Sequence, residues 1–293
     1  MLRRCAALTL AGGLTLTLTA CTTEPSDTHA ADSHPRPAAD VGMEHVHGLG
    51  VDPADGMLYA ASHFGLFRLP EDGDAERVAD RYQDTMGFTV AGPNTFVGSG
   101  HPDLQEQDLP THLGFIRSTD AGETWDIVSL GGEVDFHALR VAHGRIYGWD
   151  STSGRLLVSA DEGQTWDTRS TLDLRDLAVH PEDPEVLLAT TEQGLLRSGD
   201  GGRTWTAVPT APGVTVLAWP ATSSLYGVTP DGAVHESTDG GTAWTEQGSV
   251  QAEPEAVLVD YREGVESIYL AVSPATILVS TDGGDSFTTR YAG

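Results

Sequence analysis

The chain lacks lysine altogether: all 16 of its basic residues are arginine, set against 43 aspartates and glutamates, for a formal net charge of −27. Such a surface repels nucleic acid and anionic lipid headgroups, so polyanion binding is set aside. An acidic exterior of this kind also keeps a secreted domain soluble, without any special role in collecting cations. Cysteine is nearly absent too. Cys5 and Cys21 are the only two, and both precede residue 22, which leaves no disulfide, thiolate ligand or thiol nucleophile for the rest of the chain. Long apolar runs are missing as well: residues 6–19 form the longest, and they are too short for a stable membrane span.

That short run follows a positive Met1-Leu2-Arg3-Arg4 and ends in Leu18-Thr19-Ala20-Cys21, the layout of a secretory leader. The last four residues resemble a bacterial lipobox. The resemblance implies a signal peptide over residues 1–21, lipidation of Cys21, and anchorage to a cell membrane on its extracytoplasmic side. Residues 22–42 are rich in Pro, Ala, Ser, Thr and Asp and lack apolar periodicity, which predicts a disordered tether. Residues 43–293 are long enough to bury one large core.

What is abundant is a repeat. Ser118-Thr119-Asp120-Ala121-Gly122-Glu123-Thr124-Trp125 recurs around Asp161, Asp200, Asp239 and Asp282, the aspartates being 41, 39, 39 and 43 residues apart. A period near 40 marks one supersecondary block per repeat. The pattern S-x-D-x-G-x-T-W resembles the Asp-box, or BNR repeat, of sialidase-like propellers, including bacterial lipoproteins labelled glycosyl hydrolases by resemblance. It implies an all-β, six-bladed β-propeller of four-stranded antiparallel blades, seven blades being the alternative. Asp120, Asp161, Asp200, Asp239 and Asp282 then hold turns between the third and fourth strands, and take no part in chemistry. A degenerate unit over residues 46–74 supplies the first blade. Within blade two a long connection joins residues 98 and 114, and loops of that length are often functional.

In a propeller, the start of each innermost strand and the connection from second to third strand share the face opposite the motif turns. Aligning the innermost strands puts His47, Met86, His137 and Asp176 at one ring position in consecutive blades, with Val216 and Leu258 there in blades five and six. His63, His101 and Trp149-Asp150 fall on second-strand ends at the same rim. Imidazoles beside a thioether suit a transition metal, copper or zinc. The candidate ligands are His47, His137, Met86, His63 and His101, with Glu44, Asp135 and Asp150 as acceptors for the outer ring nitrogens.

The sialidase resemblance implies an arginine triad and an early Arg-Leu-Pro element. Arg68-Leu69-Pro70 matches that element superficially, but Arg68 aligns with Arg117 and Arg197 beside the motif turns, on the wrong face. Only Arg175 has an upper position, so sialidase activity is not expected. Glycoside hydrolysis of another kind needs two carboxylates around a sugar, and Asp135, Asp150 and Asp176 are the weak candidates. The sequence therefore favours a membrane-anchored propeller binding a metal or small ligand, with a glycosidase or a membrane-complex scaffold that binds a protein partner as alternatives.

Overall fold

The computed structural model describes residues 42–293, so the expected leader, Cys21 and all of the tether but Gly42 lie outside the described residues. Six four-stranded antiparallel sheets follow one another in chain order. Blade one comprises β1 (Val46–Val51), β2 (Leu58–Ser62), β3 (Gly65–Leu69) and a two-residue β4 (Glu76–Arg77). Blade two runs β5 (Asp84–Gly92), β6 (Thr95–His101), β7 (Phe115–Ser118) and β8 (Asp126–Ser129). Blade three has β9 (Phe136–Ala142), β10 (Arg145–Asp150), β11 (Arg155–Ser159) and β12 (Asp167–Thr171). Blade four has β13 (Asp176–Val179), β14 (Leu187–Thr191), β15 (Gly194–Ser198) and β16 (Thr206–Ala207). Blade five has β17 (Val216–Ala221), β18 (Ser224–Val228), β19 (Ala233–Ser237) and β20 (Thr245–Ser249). Blade six has β21 (Pro254–Arg262), β22 (Val265–Val272), β23 (Thr276–Ser280) and β24 (Thr288–Ala292). The innermost strands pack each on the next, and β21 on β1, so the described residues close a ring of six blades.

The apolar core lies between blades. Tyr59 and Leu66 of blade one meet Phe88 and Phe96 of blade two, and Tyr147 and Leu156 of blade three meet Leu177 and Leu187 of blade four. At the closure, Leu49 and Phe67 pack with Ala271 and Ile277 of blade six. Second strands are covered on both faces, so every residue of β2 and β14 is buried, while no residue of the outermost β20 and β24 is. Arg290 adds polar closure by donating to the Leu69 carbonyl at 2.8 Å.

Each motif forms the turn before its blade's outermost strand. The Ser159 hydroxyl accepts from Gly163 N–H at 2.8 Å, and Asp161 accepts from the Thr165 N–H at 2.9 Å and hydroxyl at 2.6 Å. Gly163 has φ +86, and a Cβ there would lie 2.1 Å from the Phe115 ring of the preceding blade. Glycine thus serves the turn's left-handed backbone and a close approach between blades at once. Blade one lacks the motif, and there the Arg77 guanidinium lies over the Phe67 and Tyr82 rings, 4.7 and 3.8 Å from their centroids.

Candidate functional site

Four innermost strands begin with an irregularity that adds one residue against the neighbouring strand. The pairing skips between Val46 and Gly48 in β1, Thr85 and Gly87 in β5, and Pro254 and Ala256 in β21. In β9 it skips between Phe136 and Ala138. The extra residues are His47, Met86, Glu255 and His137. A bulge re-aims its side chain out of the ladder, and all four line one cavity of about 440 Å³ together with His45, His63 and Arg175. The ring position expected for His47, Met86 and His137 is therefore real, and its basis is the bulge. Blade six is corrected: β21 begins earlier than its apolar rhythm indicates, so Glu255, and not Leu258, takes the equivalent place. Asp176 sits in a regularly paired strand and lines the neighbouring stretch of the channel instead.

The histidines do not gather into one cluster. They form two groups, with His47 in one and His137 beside the other. The first group is His45, His47 and His63, whose candidate ligand nitrogens all lie within 4.8 Å of one another. His63 occupies the two-residue hairpin turn between β2 and β3. Its Nδ1 is 3.2 Å from His47 Nε2 and 3.2 Å from both Asp84 carboxylate oxygens, and His47 Nε2 is 3.5 Å from Asp84 Oδ1. His45 precedes β1 with φ +37, a left-handed conformation that stacks its ring on His63 at 5.3 Å and 26°. Strain of that sort on a non-glycine residue concentrates at functional sites. Glu255 secures the segment, meeting His45 Nδ1 at 3.1 Å and accepting from Val46 N–H at 2.9 Å.

The electrostatics of this group follow from burial and pairing. Burial pushes His47 down to about 4 against the opposing bond to Asp84, so at neutral pH its imidazole is neutral. Burial alone would raise Asp84, but the hydrogen bonds from His47 and His63 outweigh it and hold the carboxyl below its ordinary value. The Glu255 hydrogen bond raises His45 against a smaller burial effect. Neither Asp84 nor Glu255 was foreseen from the sequence. Asp84 opens β5, two residues before the ring position of Met86.

The second group is His101, His112 and Asp135. His101 ends β6 and His112 lies at the end of the long blade-two connection, which Tyr82 N–H (2.9 Å to Asp103) and Arg81 (2.7 Å to Glu106) fasten at its start. The His137 ring donates through Nε2 to Asp135 Oδ2 at 2.8 Å, the acceptor role expected for Asp135. Burial raises the Asp135 carboxyl, yet the His137 hydrogen bond and the charges of His137, His101 and His112 prevail and lower it.

The other carboxylates are built into the framework. Asp150 has no exposed surface and accepts from Asp135 N–H, from Thr152 and from Arg155. Asp176 accepts from Leu177 and Leu217 N–H at 2.7 and 2.8 Å and pairs with Arg140, and burial raises its carboxyl despite Arg140. Glu44 is exposed. Arg68 pairs with the exposed Glu76, and Arg117 and Arg197 bond the motif turns of neighbouring blades at Glu162 and Gly240, consistent with structural roles.

Comparison with known proteins supports the architecture. A family model described as the DUF6242 beta propeller domain matches residues 182–257. The GH74 enzyme of Niastella koreensis superposes with a TM-score of 0.52 at 17% identity, over 84% of this chain and 38% of that one. The GH74 xyloglucanase of Xanthomonas campestris gives 0.56 at 18%, over 85% and 45%. YCF48 bound to D1 peptide gives 0.53 at 14%, over 84% and 82%. The chain spans less than half the length of these GH74 enzymes, and at such identities the likeness is one of fold. No curated protein matches the sequence.

Proposed function

We propose that this chain is a lipid-anchored, extracytoplasmic Asp-box propeller of the sialidase-like kind that binds a transition metal through His47, His63 and His45, with Asp84 as the accompanying carboxylate. The carrying observation is that His47 Nε2 and His63 Nδ1 lie 3.2 Å apart while both also face Asp84. Two imidazole nitrogens and a carboxylate thus converge on one point, where a cation seated among them takes both nitrogen lone pairs and meets the negative charge. Three imidazoles suit copper or zinc, and Met86 in the same cavity provides a thioether that favours copper. The resemblance of Leu18-Thr19-Ala20-Cys21 to a lipobox supports a location for this site outside the cytoplasmic membrane.

A glycosidase reading has less support, since Asp150 and Asp176 are committed to hydrogen bonds within the ring. A scaffold reading draws only on the fold it shares with YCF48. Titration of the chelator-stripped full chain with copper(II) and zinc tests the proposal. A His47→Gln/His63→Gln double variant that stays folded is expected to lose one equivalent of metal. Equal binding by wild type and variant would refute the reading.

A further inference from the structure

The second histidine group carries an independent argument based on unpaired atoms. His101 is buried, and its Nδ1 lies 2.9 Å from the Thr111 carbonyl oxygen. A carbonyl can only accept, so Nδ1 bears the hydrogen and Nε2 is the ring nitrogen left for a partner on the other side. Nε2 lies on the Asp135 side, 3.6 Å from Oδ2. Asp135 is 4% exposed, and its other oxygen, Oδ1, is buried with no hydrogen-bond partner, as is Nδ1 of His112. One ligand atom from each of the three residues lies within 4.8 Å of the other two.

Buried acceptors without donors are rare in folded proteins and call for an explanation. Here they belong to residues whose ligand atoms come together between blades two and three. The surroundings hold them in place before any ligand arrives. His112 O accepts from Gly132 N–H and Gly100 O from Leu113 N–H, both at 2.8 Å, so the loop end is fixed to its own blade and to the segment leading into β9. His137 fixes the Asp135 carboxylate from outside.

We propose that His101, His112 and Asp135 form a second metal site, separate from the His45/His47/His63 group and specific for a divalent ion of the zinc class. His137 is a positioning residue for it. Two imidazoles and one carboxylate supply three protein ligands and leave the remaining coordination positions to water or a small ligand, the pattern of open sites. With two imidazoles against the three of the first group, this site is harder in character, so the two should differ in metal preference.

The test is stoichiometry in the chelator-stripped full chain, using zinc with calorimetric detection and cobalt(II) with visible absorption as a report on low-coordinate geometry. Wild type is expected to bind two equivalents. His101→Gln/His112→Gln should keep only one and lose the cobalt signal belonging to it, while His47→Gln/His63→Gln should keep that signal. His137→Ala should retain both equivalents with the second weakened about tenfold or more. The half-buried His112→Ala serves if the double variant does not fold. Two equivalents with unchanged affinity in a folded His112→Ala or double variant would overturn the inference. So would a single equivalent abolished only by the His47/His63 variant, an outcome that leaves the proposed function standing. A single equivalent abolished only by the His101/His112 variant supports this site and sinks the other.

Discussion

The motif turns and the histidine rim occupy opposite ends of the same blades, and they treat polar groups in opposite ways. In the turn at Asp200, the carboxylate accepts from the Thr204 N–H and hydroxyl and from Ser198, and the Ser198 hydroxyl also caps Gly202 N–H. At the histidine rim, His101 Nε2 lies 3.6 Å from Asp135 Oδ2, and His112 Nδ1 and Asp135 Oδ1 have no hydrogen-bond partner. Saturated hydrogen bonding is what a stabilising element needs. Buried acceptors left unpaired cost stability, and a fold retains them where a ligand supplies the missing partner. Breaking each end should therefore give different phenotypes.

The largest effect on stability is expected at a motif glycine. Gly163→Ala forces a Cβ into the Phe115 ring, which lies 2.1 Å from its ideal position, at φ +86. Left-handed strain of about 1–2 kcal/mol adds to overpacking of about 1–3 kcal/mol. We expect a loss near 3 kcal/mol, or roughly 10 °C in Tm for a domain of this size. Gly194→Ala is the control: φ is +111 but nothing lies within 4 Å of the added carbon. Only the backbone strain of about 1–2 kcal/mol should be seen there. Equal losses at the two positions in thermal unfolding would remove the inter-blade contact from the explanation.

Next in size is a paired comparison of side chains. Ser198→Ala strands the buried Gly202 N–H and should cost about 2 kcal/mol. His112→Ala removes an atom that has no partner and should cost less than about 1 kcal/mol in chelated protein, while reducing metal affinity. Denaturant unfolding with and without zinc measures both. A costly His112→Ala in the metal-free state would mean that the ring is a packing element.

How much of this was legible follows from where each signal is stored. The six blades were readable because every motif couples a local turn, through its Gly and Trp, to the neighbouring blade, so its spacing reports the whole architecture. Even the degenerate first blade kept its strand rhythm. The rim was only partly readable. His47, Met86 and His137 aligned because each precedes an apolar stretch of similar phase. The ring position in blade six was assigned to Leu258, three residues past Glu255, because β21 begins earlier than its apolar rhythm indicates. Asp84 precedes the apolar stretch of β5, so no pattern marks it. The division into two histidine groups depends on how the hairpin turn at His63 and the loop end at His112 fold back on the rim, and no spacing encodes that.

A smaller effect should appear in acid. The Thr165 and Ser159 hydrogen bonds hold Asp161 down to about 2, and the Ser286 and Ser280 bonds do the same for Asp282. A carboxyl depressed in the folded state contributes stability above its unfolded value of about 4 and loses it as pH falls through the folded value. Unfolding free energy should thus hold between neutrality and pH ~4 and fall toward pH ~2. Protonating so acidic a chain also relieves self-repulsion, which works the other way. Asp161→Asn isolates the motif contribution, because its slope between those pH values should be shallower than wild type. Parallel slopes would show that repulsion alone sets the acid response.

The smallest stability effect, and the sharpest test of the contrast, concerns His45. Its φ of +37 is a cost borne by the backbone, and its imidazole is more than half exposed, with a side-chain accessibility of 53% beside Glu255. Glycine at this position accepts the same φ without strain but orders a freer chain, and an exposed ion pair contributes little. These effects oppose one another, so His45→Gly should change stability by less than about 1 kcal/mol. If the strained backbone exists to hold a ligand, the same substitution should still weaken copper binding at the His47/His63 group about tenfold or more, leaving the His101/His112 group untouched. Clear stabilisation with unchanged copper affinity would show that the strain at His45 serves no ligand. A parallel loss of stability and affinity would make His45 a structural residue, like those of the motif turns.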